Sequence, residues 1–170
     1  PVDPDTDGDG LSDGDELLGG DGLPLTGDET DPLDADTDDD GLIDGLEGSP
    51  EALHSHDTDG DGLYDGTERG VTEPHPDTNT SLGLFRPDLD PDTQSDHLSA
   101  DTDGGGCSDT DEDPNANGRL DEGEASLTDA DDDLDRDGDT LCDVRERTLG
   151  SNELDADTDD DGLPDADEPE

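Results

Sequence analysis

A twelve-residue acidic pattern limits what this chain can fold into. Residues 5–16 read DTDGDGLSDGDE, with aspartate at the first, third, fifth and ninth places, glycine at the sixth and glutamate at the twelfth. The alternating aspartates put three carboxylates on the inside of one tight turn, and the glycine lets the chain reverse without a Cβ clash. This arrangement is typical of a calcium loop, in which Ca²⁺ takes about six to eight oxygen ligands at about 2.3–2.6 Å.

The pattern occurs seven times in 170 residues. We number the copies in chain order as loop 1 (5–16), loop 2 (36–47), loop 3 (57–68), loop 4 (101–112), loop 5 (113–124), loop 6 (135–146) and loop 7 (157–168). Loops 1, 2, 3 and 7 match at every place, and loop 5 matches once asparagine oxygens replace two carboxylates. Loop 4 has Gly105 at the fifth place, and loop 6 has Thr140 at the sixth.

The pattern assigns the same places to the metal in each loop. Side-chain oxygens come from the first, third, fifth, ninth and twelfth places, the ninth acting directly or through water, and a backbone carbonyl comes from the seventh. The predicted ligands are Asp5, Asp7, Asp9, Leu11, Asp13, Glu16, Asp36, Asp38, Asp40, Leu42, Asp44, Glu47, Asp57, Asp59, Asp61, Leu63, Asp65, Glu68, Asp101, Asp103, Cys107, Asp109, Glu112, Asp113, Asn115, Asn117, Arg119, Asp121, Glu124, Asp135, Asp137, Asp139, Leu141, Asp143, Glu146, Asp157, Asp159, Asp161, Leu163, Asp165 and Glu168. One ion per loop gives about seven Ca²⁺ ions or more.

The composition indicates that the metal is needed for order. The chain has 58 acidic and 6 basic residues, a formal charge of −52, and one Phe and one Tyr. So few apolar side chains and so much like charge cannot offset an ordering cost of about 1–2 kcal/mol per residue. Bound calcium cancels the repulsion and fixes the backbone. We therefore predict a mostly irregular, metal-stabilised repeat array with at most short helical turns and little or no sheet.

The same composition excludes several functions. Phosphate contacts need Lys and Arg, so the charge excludes a direct nucleic-acid binder. No apolar run reaches about 18 residues, the length of a membrane span. No signal peptide is visible, and the chain opens at Pro1 within repeat-like sequence, which favours a mature or excised portion of a longer protein. The paired carboxylates are explained as metal ligands, and no serine elbow, phosphate loop or histidine–carboxylate motif is present, so we expect no enzyme.

The two cysteines, Cys107 and Cys142, lie in the two imperfect loops. A disulfide between them would join the loops whose metal ligation is weakest, and two free thiols are the alternative. A disulfide together with millimolar calcium would indicate a location outside the cytosol.

The spacing of the loops suggests three segments. Residues 1–70 hold three loops, residues 71–100 form an irregular, proline-containing bridge, and residues 101–170 hold four loops. Phe85 of the bridge is expected to pack on a neighbouring repeat, with a partner contact as the alternative. Leucines are expected to form small apolar plugs between repeats: Leu33, Leu98 and Leu154 three residues ahead of a loop, Leu11, Leu42, Leu63 and Leu163 within loops, and Leu17, Leu18, Leu23 and Leu25 in the first connector.

The repeats resemble bacterial thrombospondin type 3 repeats. The likeness rests on the DxDxDGxxDxxE loops 1, 2, 3 and 7 and on the Asp-Pro-Leu-Asp-Ala-Asp lead-in at 31–36. It implies calcium ions wrapped by irregular chain and shared between neighbouring loops. The ninth-place aspartates would then bridge to a second ion: Asp13, Asp44, Asp65, Asp109, Asp121, Asp143 and Asp165. This chain departs from the animal form by a twelfth-place glutamate and the absence of a cysteine after each repeat.

Together these observations predict a non-catalytic calcium-binding structural or adhesive module, extracellular or on a cell surface and of prokaryotic type. It would act as a calcium-rigidified spacer or surface-fibre segment, beside neighbouring domains of a longer protein or self-assembled into filaments. The alternative is a soluble calcium buffer or an acidic nucleator of mineral, which needs capacity but no fixed shape. A halophile's acidic surface would explain the charge but not the glycine and glutamate register.

Overall fold

The computed structural model describes residues 4–25 and 27–168. In these ranges the chain is mostly irregular, contains no strand and has only short helices. They are α1 (Asp13–Glu16), α2 (Asp65–Glu68), α3 (Asp109–Glu112) and α4 (Asp143–Leu149), with 3₁₀ turns at Asp44–Leu46, Ala52–His54, Thr80–Leu82 and Asp165–Asp167. The expectation of irregular chain with short helical turns and little sheet is confirmed.

The helical turns mark the ends of the loops. Six of the eight elements in the described ranges begin at the ninth place of a loop, where an aspartate starts the turn. Helix α4 is longer, at seven residues, because no glycine or proline follows loop 6 until Gly150. Gly150 ends it in the left-handed conformation (φ 91°) and donates its N–H to Glu146 O at 2.6 Å. None of the helices in the described part of the chain has the length and apolar character needed to cross a membrane.

All seven loops share one backbone conformation. The fourth and sixth places have positive φ in each loop, whatever residue stands there. At the sixth place φ runs from 72° at Gly118 to 117° at Gly106, and Thr140 of loop 6 lies within that range at 81°. A β-branched residue rarely adopts this conformation, so the rest of loop 6 holds Thr140 in the shape that glycine takes elsewhere.

Replacing this threonine tests whether loop 6 carries backbone strain. Left-handed backbone costs a non-glycine residue about 1–2 kcal/mol, more than the backbone entropy of about 0.5–1 kcal/mol that glycine loses on folding. We expect Thr140→Gly to raise the free energy of unfolding in calcium by about 1 kcal/mol, measured by denaturant titration. Thr148→Gly, in helix α4, is the matched control and should lower it. A loss of stability in both variants would contradict the interpretation.

One hydrogen bond recurs wherever two loops stack. The Oδ2 atom of a fifth-place aspartate accepts the N–H of the tenth-place residue of the next loop in the stack. The pairs are Asp9 with Gly45 (3.0 Å), Asp40 with Gly66 (2.7 Å), Asp61 with Thr110 (3.0 Å) and Asp139 with Ala166 (3.1 Å). The backbones approach closely: a Cβ on Gly45 would lie 2.3 Å from Asp9 O. Loops 1, 2, 3 and 4 therefore follow one another directly, as do loops 6 and 7.

The predicted disulfide joins loop 4 to loop 6. Cys107 and Cys142 are bonded, with their Cα atoms 5.9 Å apart, and helices α3 and α4 pack beside them. Loop 5 contacts helix α4, where the Arg147 side chain donates to Gly123 O at 2.9 Å, and it also contacts the bridge. Its Asn117 O accepts the N–H of Leu89 at 2.8 Å, and the carboxylate of Asp88 lies against Gly118.

The bridge folds back along the loops. Asn79 donates its N–H to Asp39 Oδ1 at 2.5 Å, and the Thr78 hydroxyl donates to the Asp36 carboxylate. The Phe85 ring lies against loop 2, where a Cβ on Gly41 would be 2.4 Å from Phe85 Cδ2. Phe85 thus packs on a neighbouring repeat, as the sequence suggested. Loops 3 and 4 touch although the bridge separates them in sequence.

The leucine plugs are not formed. The lead-in residues Leu33, Leu98 and Leu154 are 72%, 48% and 71% exposed, and the connector leucines are exposed too. That prediction was wrong for the lead-in and connector leucines and for Leu163, whereas Leu42 and Leu63 are buried and Leu11 is half-buried. The reason is the turn that precedes the loop: each lead-in leucine is the third residue of a turn, closed for Leu33 by the Asp34 N–H donating to Asp31 O at 2.8 Å. The leucine therefore projects into solvent, and the small Ala35, whose carbonyl accepts the ninth-place N–H of Asp44 at 3.0 Å, is buried.

Candidate metal sites

Within each loop, backbone N–H groups donate hydrogen bonds that orient the carboxylates toward the inside of the loop. In loop 3, the Asp57 carboxylate accepts the N–H groups of Gly60 at 2.9 Å and Gly62 at 3.1 Å. Asp59 Oδ1 accepts the N–H of Asp61 at 3.2 Å, and Asp61 Oδ1 accepts the N–H of Leu63 at 2.7 Å. These bonds hold one oxygen from each aspartate within 4.8 Å of the others. The carboxylates of Asp5, Asp7 and Asp9, and of Asp36, Asp38 and Asp40, are grouped in the same way.

The ninth-place aspartate closes the loop. In five loops both of its oxygens accept hydrogen bonds from the second-place threonine, one from the N–H and one from the hydroxyl. In loop 6, Arg136 makes the matching bonds to Asp143. In loop 5, Asp121 pairs with Arg119 (Nε to Oδ1 2.9 Å), and hydrogen bonds from Asn117 and Arg119 lower its pKa. The ninth-place aspartate therefore closes the loop in the structure. Its predicted role as a metal ligand, or as a bridge to a second ion, stays a prediction.

The sequence analysis did not identify the second-place threonine as the partner of the ninth-place aspartate. Its signal was present, since Thr stands at the second place of loops 1, 2, 3, 4 and 7.

Removing one of these threonine contacts should weaken the fold. Thr58 donates to both oxygens of the buried Asp65, and hydrogen bonds to charged groups contribute about 1.5–3 kcal/mol. Because Thr58→Val keeps the backbone bond and loses the hydroxyl bond, we expect a loss of about 1–2 kcal/mol in the free energy of unfolding. Thr72→Val, at an exposed bridge position, is the control and should change it by less than about 0.5 kcal/mol. An equal change in the free energy of unfolding in the two variants would contradict the loop-closing role of the Thr58 hydroxyl.

The twelfth-place glutamates of loops 1 to 4 and of loop 6 lie between loops and are buried, whereas Glu124 is half-buried and Glu168 is exposed. Glu16, Glu47, Glu68, Glu112 and Glu146 are 2%, 1%, 2%, 0% and 0% exposed. Among the described residues, both carboxylate oxygens of Glu47, Glu112 and Glu146 are buried without a hydrogen-bond partner. So are the third-place Oδ2 atoms of Asp7, Asp38, Asp59, Asp103 and Asp137. An unsatisfied buried polar group costs about 1–3 kcal/mol, and a bound cation would satisfy these atoms.

The donor set fits calcium. The grouped ligands are carboxylate oxygens, which suit hard cations, and they come from an irregular backbone that can supply several oxygens to one ion. Loops 1 to 4 and loop 6 bury their glutamate, whereas Asp159, Asp161 and Glu168 of loop 7 are exposed. The residues present therefore fit a calcium ion best where a second loop covers the first.

The charges of neighbouring loops converge on these glutamates. Burial, and then Asp40, Asp38 and Asp65, raise the pKa of Glu47 to about 10. Burial, and then Asp59 among others, raises the pKa of Glu68 to about 9. Each of Glu16, Glu47, Glu68 and Glu146 has the ninth-place aspartate of the following stacked loop among the groups that raise its pKa. The contact between loops is thus repulsive unless a proton or a cation is present.

The raised pKa values predict how the metal-free protein responds to pH. Between the ordinary glutamate pKa of 4.5 and the folded values of about 9 to 10, the folded chain holds protons on Glu47 and Glu68 that the unfolded chain has released. In chelator, the free energy of unfolding should therefore be greatest below pH 4.5. It should fall as the pH rises from 4.5 to about 9 to 10, the folded pKa values, and the loss is complete above them. Unfolding in chelator at pH 4 and pH 8 measures this difference. Higher stability at pH 8 would contradict it.

Two residues outside the pattern lie among the predicted ligands. Asp133, from the connector ahead of loop 6, places an oxygen within 4.8 Å of oxygens from Asp101 and Asp103 in loop 4. His97, from the bridge, places a ring nitrogen within 4.8 Å of carboxylate oxygens from Glu47 and Asp65, and its Nε2 atom lies 2.9 Å from Glu47 O. Sequence reasoning missed both because they are distant in the chain. The only signal for Asp133 was an acidic run at 131–133 and a glycine at place five of loop 4.

Comparison with known proteins identifies no protein related to this chain. No family model matches the chain, and no curated protein and no solved structure shows significant similarity to it. The site is therefore interpreted from its own geometry, and the resemblance to thrombospondin type 3 repeats rests on the loop motif and the lead-in at 31–36.

Proposed function

We propose that this chain is a calcium-stabilised structural module of the thrombospondin type 3 kind. Ca²⁺ ions hold its loops in register, and it serves as a stiff spacer or surface-fibre segment outside the cell, without catalysis. The observation that carries the proposal is the burial of Glu47, Glu68 and Glu112 between loops, with carboxylate oxygens that lack partners in the described structure. A doubly charged cation turns this repulsive contact into an attractive one.

The hydrogen bonds between loops favour a fixed shape. Asp40 Oδ2 binds the Gly66 N–H at 2.7 Å while Asp40 Oδ1 binds Leu42 N–H within its own loop at 2.7 Å. One side chain therefore links the inside of a loop to its neighbour. A calcium buffer or mineral nucleator would need the carboxylates but not this linkage, so the spacer is the better-supported function. The disulfide is consistent with an extracellular location.

Solution scattering tests the proposal most directly. The chain is measured in millimolar calcium and then in excess chelator at pH 7.5. A spacer should be ordered with calcium and expand toward a coil without it, because the carboxylates then repel one another. Elongated particles that grow only with calcium would indicate the filament form. If the size and shape of the particle do not change although calcium is taken up, the spacer function is contradicted and the calcium buffer becomes the better explanation.

A matched pair of variants links the shape change to the buried glutamates. Glu68→Gln removes one charge from the contact between loops 3 and 4 with little change of volume, and Glu122→Gln removes the same charge from an exposed place in loop 5. We expect the first variant to need about tenfold more calcium for compaction, since ligand charge sets affinity in such loops, and the second to behave like the parent chain. Identical calcium midpoints would show that the buried glutamates are not ligands.

A further inference from the structure

Loop 4 lacks its own fifth-place carboxylate, yet the hydrogen bond that this group makes elsewhere is present. In the other six loops the seventh-place N–H donates to the fifth-place side chain of the same loop, as Leu63 does to Asp61 Oδ1 at 2.7 Å. In loop 4 the seventh-place residue is Cys107, and its N–H donates to Asp133 Oδ2 at 3.0 Å. Asp133 thus takes the structural place of the missing residue.

The position of Asp133 supports the same assignment. A Cβ built on Gly105 would lie 2.1 Å from Asp133 Oδ2, so the carboxylate fills the space that a fifth-place side chain would occupy. Its oxygen lies within 4.8 Å of oxygens from Asp101 and Asp103, the first and third places of loop 4.

The neighbouring atoms independently indicate a ligand. Asp133 Oδ1 is buried with no hydrogen-bond partner among the described residues. Glu112, the twelfth-place residue of loop 4, is fully buried, and both of its carboxylate oxygens are likewise without a partner. Asp133 and Asp103 are among the groups that raise the pKa of Glu112, so four acidic side chains from two parts of the chain meet at one place. A cation bound there would satisfy all of their oxygens, whereas a proton would satisfy only one pair.

The disulfide fixes the segment that carries Asp133. The next residue, Leu134, accepts the N–H of Asp143 at 2.8 Å, and Asp143 follows Cys142. Cys142 is bonded to Cys107, whose N–H holds Asp133. These links form a closed circuit of two hydrogen bonds, one disulfide and short stretches of backbone.

We propose that loop 4 is a complete Ca²⁺ site whose fifth-place ligand is Asp133, supplied by the connector between loops 5 and 6 and held there by the Cys107–Cys142 disulfide. The proposal rests on the calcium-binding function proposed above and adds a ligand to it. It also makes the ion in loop 4 depend on the docking of loop 6, which is not so for an ion whose ligands all come from one loop.

Counting bound ions tests the assignment. Native mass spectrometry of the full chain, titrated with CaCl₂, gives the number of ions and the concentration at which each binds. We expect Asp133→Asn to lose one ion or to bind it at least about tenfold more weakly, because a charged ligand is removed. Asp131→Asn, an equal change of charge at an exposed place two residues earlier, should keep every ion. The same ion count and affinity in both variants would overturn the proposal.

A relocation variant separates ligation from folding. Gly105→Asp combined with Asp133→Ala empties the space that the Asp133 side chain fills and moves the carboxylate back into loop 4, with a small shift of the connector at Ala130, and should restore the lost ion. Replacing both cysteines by serine should weaken the same ion in the parent chain but not in the relocation variant. If neither expectation is met, Asp133 only supports the backbone. If the parent chain binds no calcium at all, the proposed function fails, whereas failure of the Asp133 variants alone leaves it standing.

Discussion

Repulsion between carboxylates of neighbouring loops is the interaction on which the whole structure depends. The chain stacks its most acidic segments against one another and buries Glu47, Glu68 and Glu112 at the contacts. Few apolar side chains are buried, and the one cluster of buried apolar residues in the described ranges contains only Leu63, Ala116 and Leu127. Such a core is too small to hold like charges together. In the function proposed above, cations take the places where a larger protein would have apolar packing.

The local structure was predictable because each loop is closed by hydrogen bonds that its own residues make. The place-by-place pattern predicted the inward-facing aspartates and an irregular chain with at most short helical turns. Even Thr140, the wrong residue for its place, adopts the expected backbone, because Asp135 Oδ2 accepts its N–H at 3.2 Å as it would accept that of a glycine.

What the sequence did not reveal is how the loops meet. The leucine prediction was wrong because apolar spacing says little when polar backbone contacts set the register, so that Ala35 and not Leu33 is buried. Asp133 and His97 reach the loops from segments without the motif, and no local pattern encodes such contacts. The disulfide was predictable from two cysteines in unusual places, but its role near Asp133 needed the structure.

The disulfide also bears on how the molecule would respond to tension. It joins two cysteines that are 35 positions apart in sequence, and the segment between them includes all of loop 5 and the connector with Asp133. Fully extended, that segment would measure roughly 120 Å at about 3.3–3.6 Å per residue. A pull along the chain would pass through Cys107 and Cys142 and leave the closed segment unloaded. The remaining loops would lengthen first, and this length would be released only after the bond is broken.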